Sequence, residues 1–109
     1  MRDIKFRTWS KTAQQIISWE ELKPKFIKLL DNPEYPYMMF TGLKDRLGVE
    51  IYEGDIVRDC EVKWNGVVKW EQYGLGSWRI KNDVTEDMMF DAHCLEVIGN
   101  IHENPELLG

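Results

Sequence analysis

The stretch Thr41–Val57, TGLKDRLGVEIYEGDIV, constrains the fold more than any other, because it packs two turn signals and the start of a strand into seventeen residues. Glycine adopts φ > 0 without a Cβ clash, so Gly42 and Gly48 read as the ends of a loop over Leu43–Leu47. Ile51 and Tyr52 give a short apolar pulse, and Glu53-Gly54-Asp55 forms a second tight turn. Asp55 then reads as a carboxylate closing that turn as β-branched Ile56 and Val57 open a strand.

Both flanks continue this pattern. Ile4 and Phe6 alternate with Lys5 and Arg7, the signature of a half-buried first strand. Gln15-Ile16-Ile17 reads as a second strand. Ser18-Trp19-Glu20-Glu21 has the spacing of a capping box, but Pro24 would break a helix that ran through it. A single turn after Ser18 is therefore expected, then a short helix with Pro24 near its start and Phe26, Leu29 and Leu30 on one face. Asp31–Pro36 is a loop, and Tyr37-Met38-Met39-Phe40 is a buried strand whose methionines fill the core. Downstream, Cys60–Trp64 and Val67–Glu71 flank Asn65-Gly66, a hairpin signal. A two-residue turn there leaves both faces partly apolar, which requires either cover on both sides or a bulge. Tyr73–Gly76 is a turn, Ser77–Ile80 a strand and Lys81–Asp87 a polar loop. Leu95–Ile101 is the last strand, with Leu95, Val97 and Gly99 facing one way. Asn104 caps a terminal helical turn that begins at Pro105. Many short strands at close spacing predict a mainly β fold, a small barrel with one or two short helices as decoration. A Gly-Asp-Ile-Val turn entering a strand recurs in small SH3-like barrels.

The length of 109 residues fits one domain, 1–109, and 43% apolar with 30% charged residues is ordinary for a globular chain. No apolar run approaches the ~20 residues of a membrane span, and Met1–Phe6 lacks the apolar core of a secretory signal. Cys60 and Cys94 are the two cysteines, so no disulfide framework is expected and a cytoplasmic setting fits. Charge is uneven: residues 1–30 hold seven Lys/Arg against three Asp/Glu, and the remainder seven against sixteen. The acidic body disfavours broad phosphate-backbone binding, whereas Arg2, Lys5, Arg7 and Lys11 in the basic N-terminal strand could serve a nucleic-acid adaptor.

Several segments together resemble the YopX family, small proteins encoded by phages and prophages of mostly Gram-positive bacteria. Ile4-Lys5-Phe6-Arg7-Thr8-Trp9 is similar to the family's opening strand. Thr41-Gly42-Leu43-Lys44-Asp45, Gly48 and Glu50–Val57 match its central signature. Gly66–Trp70 and Leu95–Leu108 complete the match. The resemblance implies an SH3-type barrel core over about 37–102, with the N-terminal strand and helix of 1–31 packed on it. It implies no catalytic residue.

Candidate sites divide accordingly. Cys60, His93, Cys94 and His102 carry zinc-ligand chemistry, but their spacing matches no familiar pattern, and neither metal nor cofactor is expected. Nucleophilic catalysis by Cys94 with His93 or His102 would need a converging base and oxyanion donors that no motif supplies. Asp45, Glu50, Glu53 and Asp55 sit in turns, where backbone hydrogen bonding accounts for them. Tyr52, Trp64, Trp70, Tyr73 and Trp78 are dense for so short a segment. They serve either to fill a small core or to form a groove for an extended peptide. Tyr73 and Trp78, which flank a glycine turn, are the members expected at the surface, with Glu71 and Asp83 at the rim. The reading is a non-enzymatic phage accessory protein that binds an unidentified host or phage protein through Tyr73, Trp78, Tyr52 and Trp70. Nucleic-acid binding is the alternative, and a homo-oligomer is open through an exposed sheet edge.

Overall fold

A computed structural model describes residues 4–60, 64–71, 77–82, 86–88 and 94–108. They form a mainly β, barrel-like fold of two antiparallel sheets. The first sheet holds β1 (Phe6–Ser10), β2 (Gln15–Ile17), β3 (Tyr37–Lys44) and β4 (Glu50–Tyr52) in the order β2-β1-β3-β4. The second holds β5 (Asp55–Asp59), β6 (Asn65–Glu71), β7 (Ser77–Lys81), β8 (Glu86–Met88) and β9 (Leu95–Asn100) in the order β8-β7-β6-β5-β9. The N-terminal strand β1 is thus an inner strand of the first sheet, paired with β2 on one side and β3 on the other.

Alternation along β3 and β4 explains how one sheet serves two cores. Successive strand side chains point to opposite faces. Met39 and Ile51 therefore meet Val57, Val68, Trp78, Ile80 and Leu95 of the second sheet, while Met38, Phe40 and Tyr52 pack with Trp9 on the other face. Strand β6 resolves the two-faced pattern noted in the sequence by covering both sides, since Val67 and Val68 are both buried.

Four local expectations are corrected. Asn65-Gly66 is not a hairpin turn: both residues lie in β6, where Gly66 pairs with Val57 and Asn65 with Arg58. The glycine is required by packing instead, because a Cβ there would come 2.5 Å from Ile80 Cγ2 and 2.8 Å from the Trp64 ring. The loop expected over Leu43–Leu47 shifts along the chain, since β3 continues through Gly42 (φ 88°) as a register irregularity and the turn follows it. Glu86 and Asp87, expected within a polar loop, lie in β8 and pair with β7. Ser18 makes no side-chain cap. It is followed by α1 (Trp19–Leu22), a 3₁₀ turn over Lys23–Lys25 that accommodates Pro24, and α2 (Phe26–Leu29). This segment docks through buried Leu22 and through Phe26 stacked on Phe6 at 4.7 Å.

The β3–β4 turn closes on Asp45. Its carboxylate accepts N–H groups from Leu47 (2.8 Å) and Val49 (2.9 Å) within the turn, and from Val97 (2.9 Å) in β9, tying the first sheet to the second. Burial pushes the Asp45 carboxyl up, but the three N–H donors and neighbouring Arg46 outweigh it and hold the group below its ordinary 3.8. A depressed carboxylate adds stability that is present above 3.8 and lost as pH falls through its folded value. Asp45→Asn is expected to cost about 2 kcal/mol at neutral pH by thermal or urea unfolding. The gap from the parent protein should narrow steadily in acid; a gap independent of pH would mean the charge is immaterial.

Candidate functional site

The two sheets meet at the turn Glu53-Gly54-Asp55, and a groove opens beside it. Gly54 has φ 89°, the left-handed conformation glycine favours, and a Cβ there would press on Met38 Sδ at 3.2 Å. Its N–H donates to Val68 O and its carbonyl accepts from Ile101 N, each at 2.9 Å, while Glu53 N–H donates to Met39 O at 2.9 Å. One tight turn therefore joins β3, β6 and the end of β9.

Asp55 locks the turn from inside. Its carboxylate is 1% exposed, accepts the Tyr52 N–H at 2.8 Å, and pairs with the Arg7 guanidinium from β1. The guanidinium also lies over the Tyr52 ring, 4.5 Å from its centre. Burial pushes the Asp55 carboxyl above its ordinary value despite Arg7 and the Tyr52 N–H. Desolvation thus outweighs attraction in this pair, as expected for ions buried together.

The groove has a volume of about 320 Å³. Met38, Val67 and Ile101 give it an apolar lining, Glu53, Lys69 and His102 a polar one, and Tyr37 borders it with its ring edge-on to Phe6 at 5.7 Å and to Phe26 at 6.3 Å. Tyr37 is 48% exposed and Ile101 36%. His102 stacks on Trp9 at 5.5 Å with rings 8° from parallel. Burial lowers the His102 pKa, and Arg7 and Lys11 lower it further against the opposing charge of Glu103. Its backbone is fixed by Asn100, whose Oδ1 accepts the N–H groups of His102 (3.0 Å) and Glu103 (2.9 Å). Asn104 stands where expected, just before the 3₁₀ turn Pro105–Leu108, its carbonyl accepting the Leu107 N–H at 3.0 Å, and its Oδ1 also accepts the Asn100 N–H at 3.3 Å. Such a surface can hold an extended apolar segment. Among the described residues no three His, Cys, Asp or Glu side chains group to hold a metal ion.

The residues singled out from sequence fall elsewhere. Trp78, expected at the surface, is 9% exposed and lies in the inter-sheet core, edge-on to half-buried Trp70 at 5.0 Å. Tyr52 is buried against Phe40 at 5.4 Å. Tyr73 lies outside the described residues, as do Asp83, His93 and Arg2. The basic strand is internally engaged: Lys5 pairs with Glu50 and sits over Phe40 at 4.7 Å, and Arg7 pairs with Asp55. Lys11 is exposed. Sequence reading missed Tyr37 and Ile101. The strand period sets the Tyr37 side chain on the face opposite Met38 and Phe40, where it meets Phe6 and Phe26.

The fold recurs in the crystal structure of protein EF1440 from Enterococcus faecalis, which matches with a TM-score of 0.60 and 24% identity over 100% of both chains. No curated protein matches the sequence. Residues 28–109, more than half the chain, match the family described as YopX protein. They include the Gly54 turn, the Asp45 turn and the Asn100 turn that frame the groove, and the chain belongs to the YopX family.

Proposed function

We propose that this chain is a non-catalytic protein-binding module of SH3-like type, an accessory protein of phage or prophage origin acting in the bacterial cytoplasm. Its ligand is an extended segment of a host or phage protein, seated in the groove beside Gly54. The observation that carries this reading is the groove's make-up: Met38 and Val67 as an apolar floor, the exposed Tyr37 and Ile101 at its edge, and the charged Glu53 and Lys69 beside it. Aromatic-walled clefts suit extended peptides because the ring gives contact area at little entropic cost while backbone polar groups stay near water. The basic N-terminal strand supports nucleic-acid binding less well, since Lys5 and Arg7 would have to leave Glu50 and Asp55 to meet a phosphate.

Capture of partners from nuclease-treated host lysate, compared between the parent protein and two groove variants, tests this. Tyr37→Ala and Lys69→Glu are each expected to reduce retention of the captured protein at least about tenfold. Lys69 is exposed, so its charge reversal is expected to leave the melting temperature unchanged. Equal retention by all three proteins would remove the groove as the site. A catch that disappears with nuclease would put nucleic acid in its place.

A further inference from the structure

Cys60 and Cys94 face each other across the joint between β5 and β9. Beyond the irregularity at Ile56/Val57 the register is even, with Val57 opposite Val97, Arg58 opposite Glu96 and Asp59 opposite Leu95. The next step places Cys60 opposite Cys94, and the Cys60 N–H donates to Cys94 O at 2.9 Å. The neighbouring β9 residues turn their polar groups the other way: Leu95 O accepts from Arg46 N at 2.9 Å and Val97 N–H donates to Asp45 at 2.9 Å. Continued one step past the strands, this alternation puts the cysteines at a hydrogen-bonded position of the antiparallel ladder, where facing Cα atoms lie about 5.5 Å apart. That falls inside the roughly 4.4–6.8 Å window of a disulfide. Directly opposed residues also send their side chains to the same face. Cys60 is exposed and Cys94 half-buried.

We infer that Cys60 and Cys94 are a reversible redox pair that closes to a cross-strand disulfide by exchange with a low-molecular-weight disulfide. The Cys60 thiolate attacks one sulfur of the small disulfide, forming a mixed disulfide and releasing one small thiolate. The Cys94 thiolate then attacks the Cys60 sulfur, breaking the mixed bond and releasing the second. Two protein thiols are oxidised, one small disulfide is reduced to two thiols, and the protons lost by the cysteines pass to the departing thiolates. The bond ties together the two ends of the segment 61–93, which carries β6, β7 and β8, so the redox state decides whether that meander is closed at its base.

The test is incubation of the whole protein with oxidised glutathione, followed by intact mass and non-reducing peptide mapping. The expected product has lost two hydrogens, contains Cys60 joined to Cys94, and reverts with dithiothreitol. Cys94→Ser is expected to stop at a glutathione adduct on Cys60. Closure should be at least about tenfold faster in native buffer than in urea, because the fold holds the second thiol beside the first. A parent protein that ends as the Cys60 adduct, that links between molecules, or that closes equally fast in urea overturns the pair.

Discussion

Replacing Asp55 with alanine is expected to lower stability by about 3–5 kcal/mol, the cost typical of removing one partner of a buried ion pair. Two groups are left behind. The Arg7 guanidinium, with its side chain 16% exposed, loses its counter-charge, and the Tyr52 N–H loses its acceptor beneath the turn. The effect is structural rather than purely Coulombic, because the same turn carries the Gly54 bonds to Val68 and Ile101 that join the two sheets. Asp55→Asn keeps an acceptor for Tyr52 and isolates the charge term. Since burial raises the Asp55 carboxyl above 3.8, the folded state binds its proton more readily than the unfolded chain. This group's contribution is therefore most favourable in acid and declines as pH rises from 3.8 through the folded value, opposite in sign to Asp45. It follows that Arg7→Met with Asp55→Asn should lose less stability than the two single changes added together, by about 1 kcal/mol or more. Strict additivity in urea unfolding of the four proteins would show that the two ions are not coupled.

The opening stretch was legible because its turns are made by local chemistry. Gly54 and Asp55 form a turn and start a strand by rules that need only the neighbouring residues, and both do so in the fold. The terminal strand and the family resemblance were legible for the same reason, whereas the first strand starts at Phe6 and leaves Ile4, expected on its buried face, 76% exposed. Apart from the Ser18 cap, what failed turned on distant partners. Asn65-Gly66 carries a strong hairpin signal, yet the glycine serves a close approach to Ile80 from the adjacent strand, fourteen residues on. Gly42 is a left-handed residue inside a strand, which only the pairing of β3 with β4 reveals. Charges mislead in the same way. Lys5 and Arg7 look like a basic strand for a phosphate, whereas their carboxylate partners, Glu50 and Asp55, lie far along the sequence. The groove itself is a junction of β3, β6 and the segment after β9, so no single window of sequence contains it.

The aromatic residues show that limit most sharply, and Trp78 provides the decisive measurement. A tryptophan beside a glycine turn reads equally as a surface anchor and as a core filler. The structure assigns it to the core: β7 alternation sends Trp78 and Ile80 inward together, where they meet Ile51 of the first sheet and Val57, Val68 and Leu95 of the second. Trp78→Ala is therefore expected to destabilise the protein by about 3–5 kcal/mol, the range for emptying a buried aromatic site. For a domain of this size that amounts to a loss of roughly 15 °C or more in melting temperature. Trp78→Phe, which keeps a ring against Trp70 and most of the filled volume, should cost far less, about 1–2 kcal/mol. A recognition residue would behave differently: Tyr37 is 48% exposed and meets Phe6 and Phe26 edge-on, so its truncation should cost far less stability than emptying the core. Thermal melts of the two variants beside Tyr37→Ala separate the roles. Trp78→Ala should melt early, and Tyr37→Ala should lose partner retention by a larger factor than its change in stability accounts for. A stable Trp78→Ala protein that fails to retain the partner would return the recognition surface to the Trp70–Trp78 pair and leave the groove beside Gly54 without a role in binding.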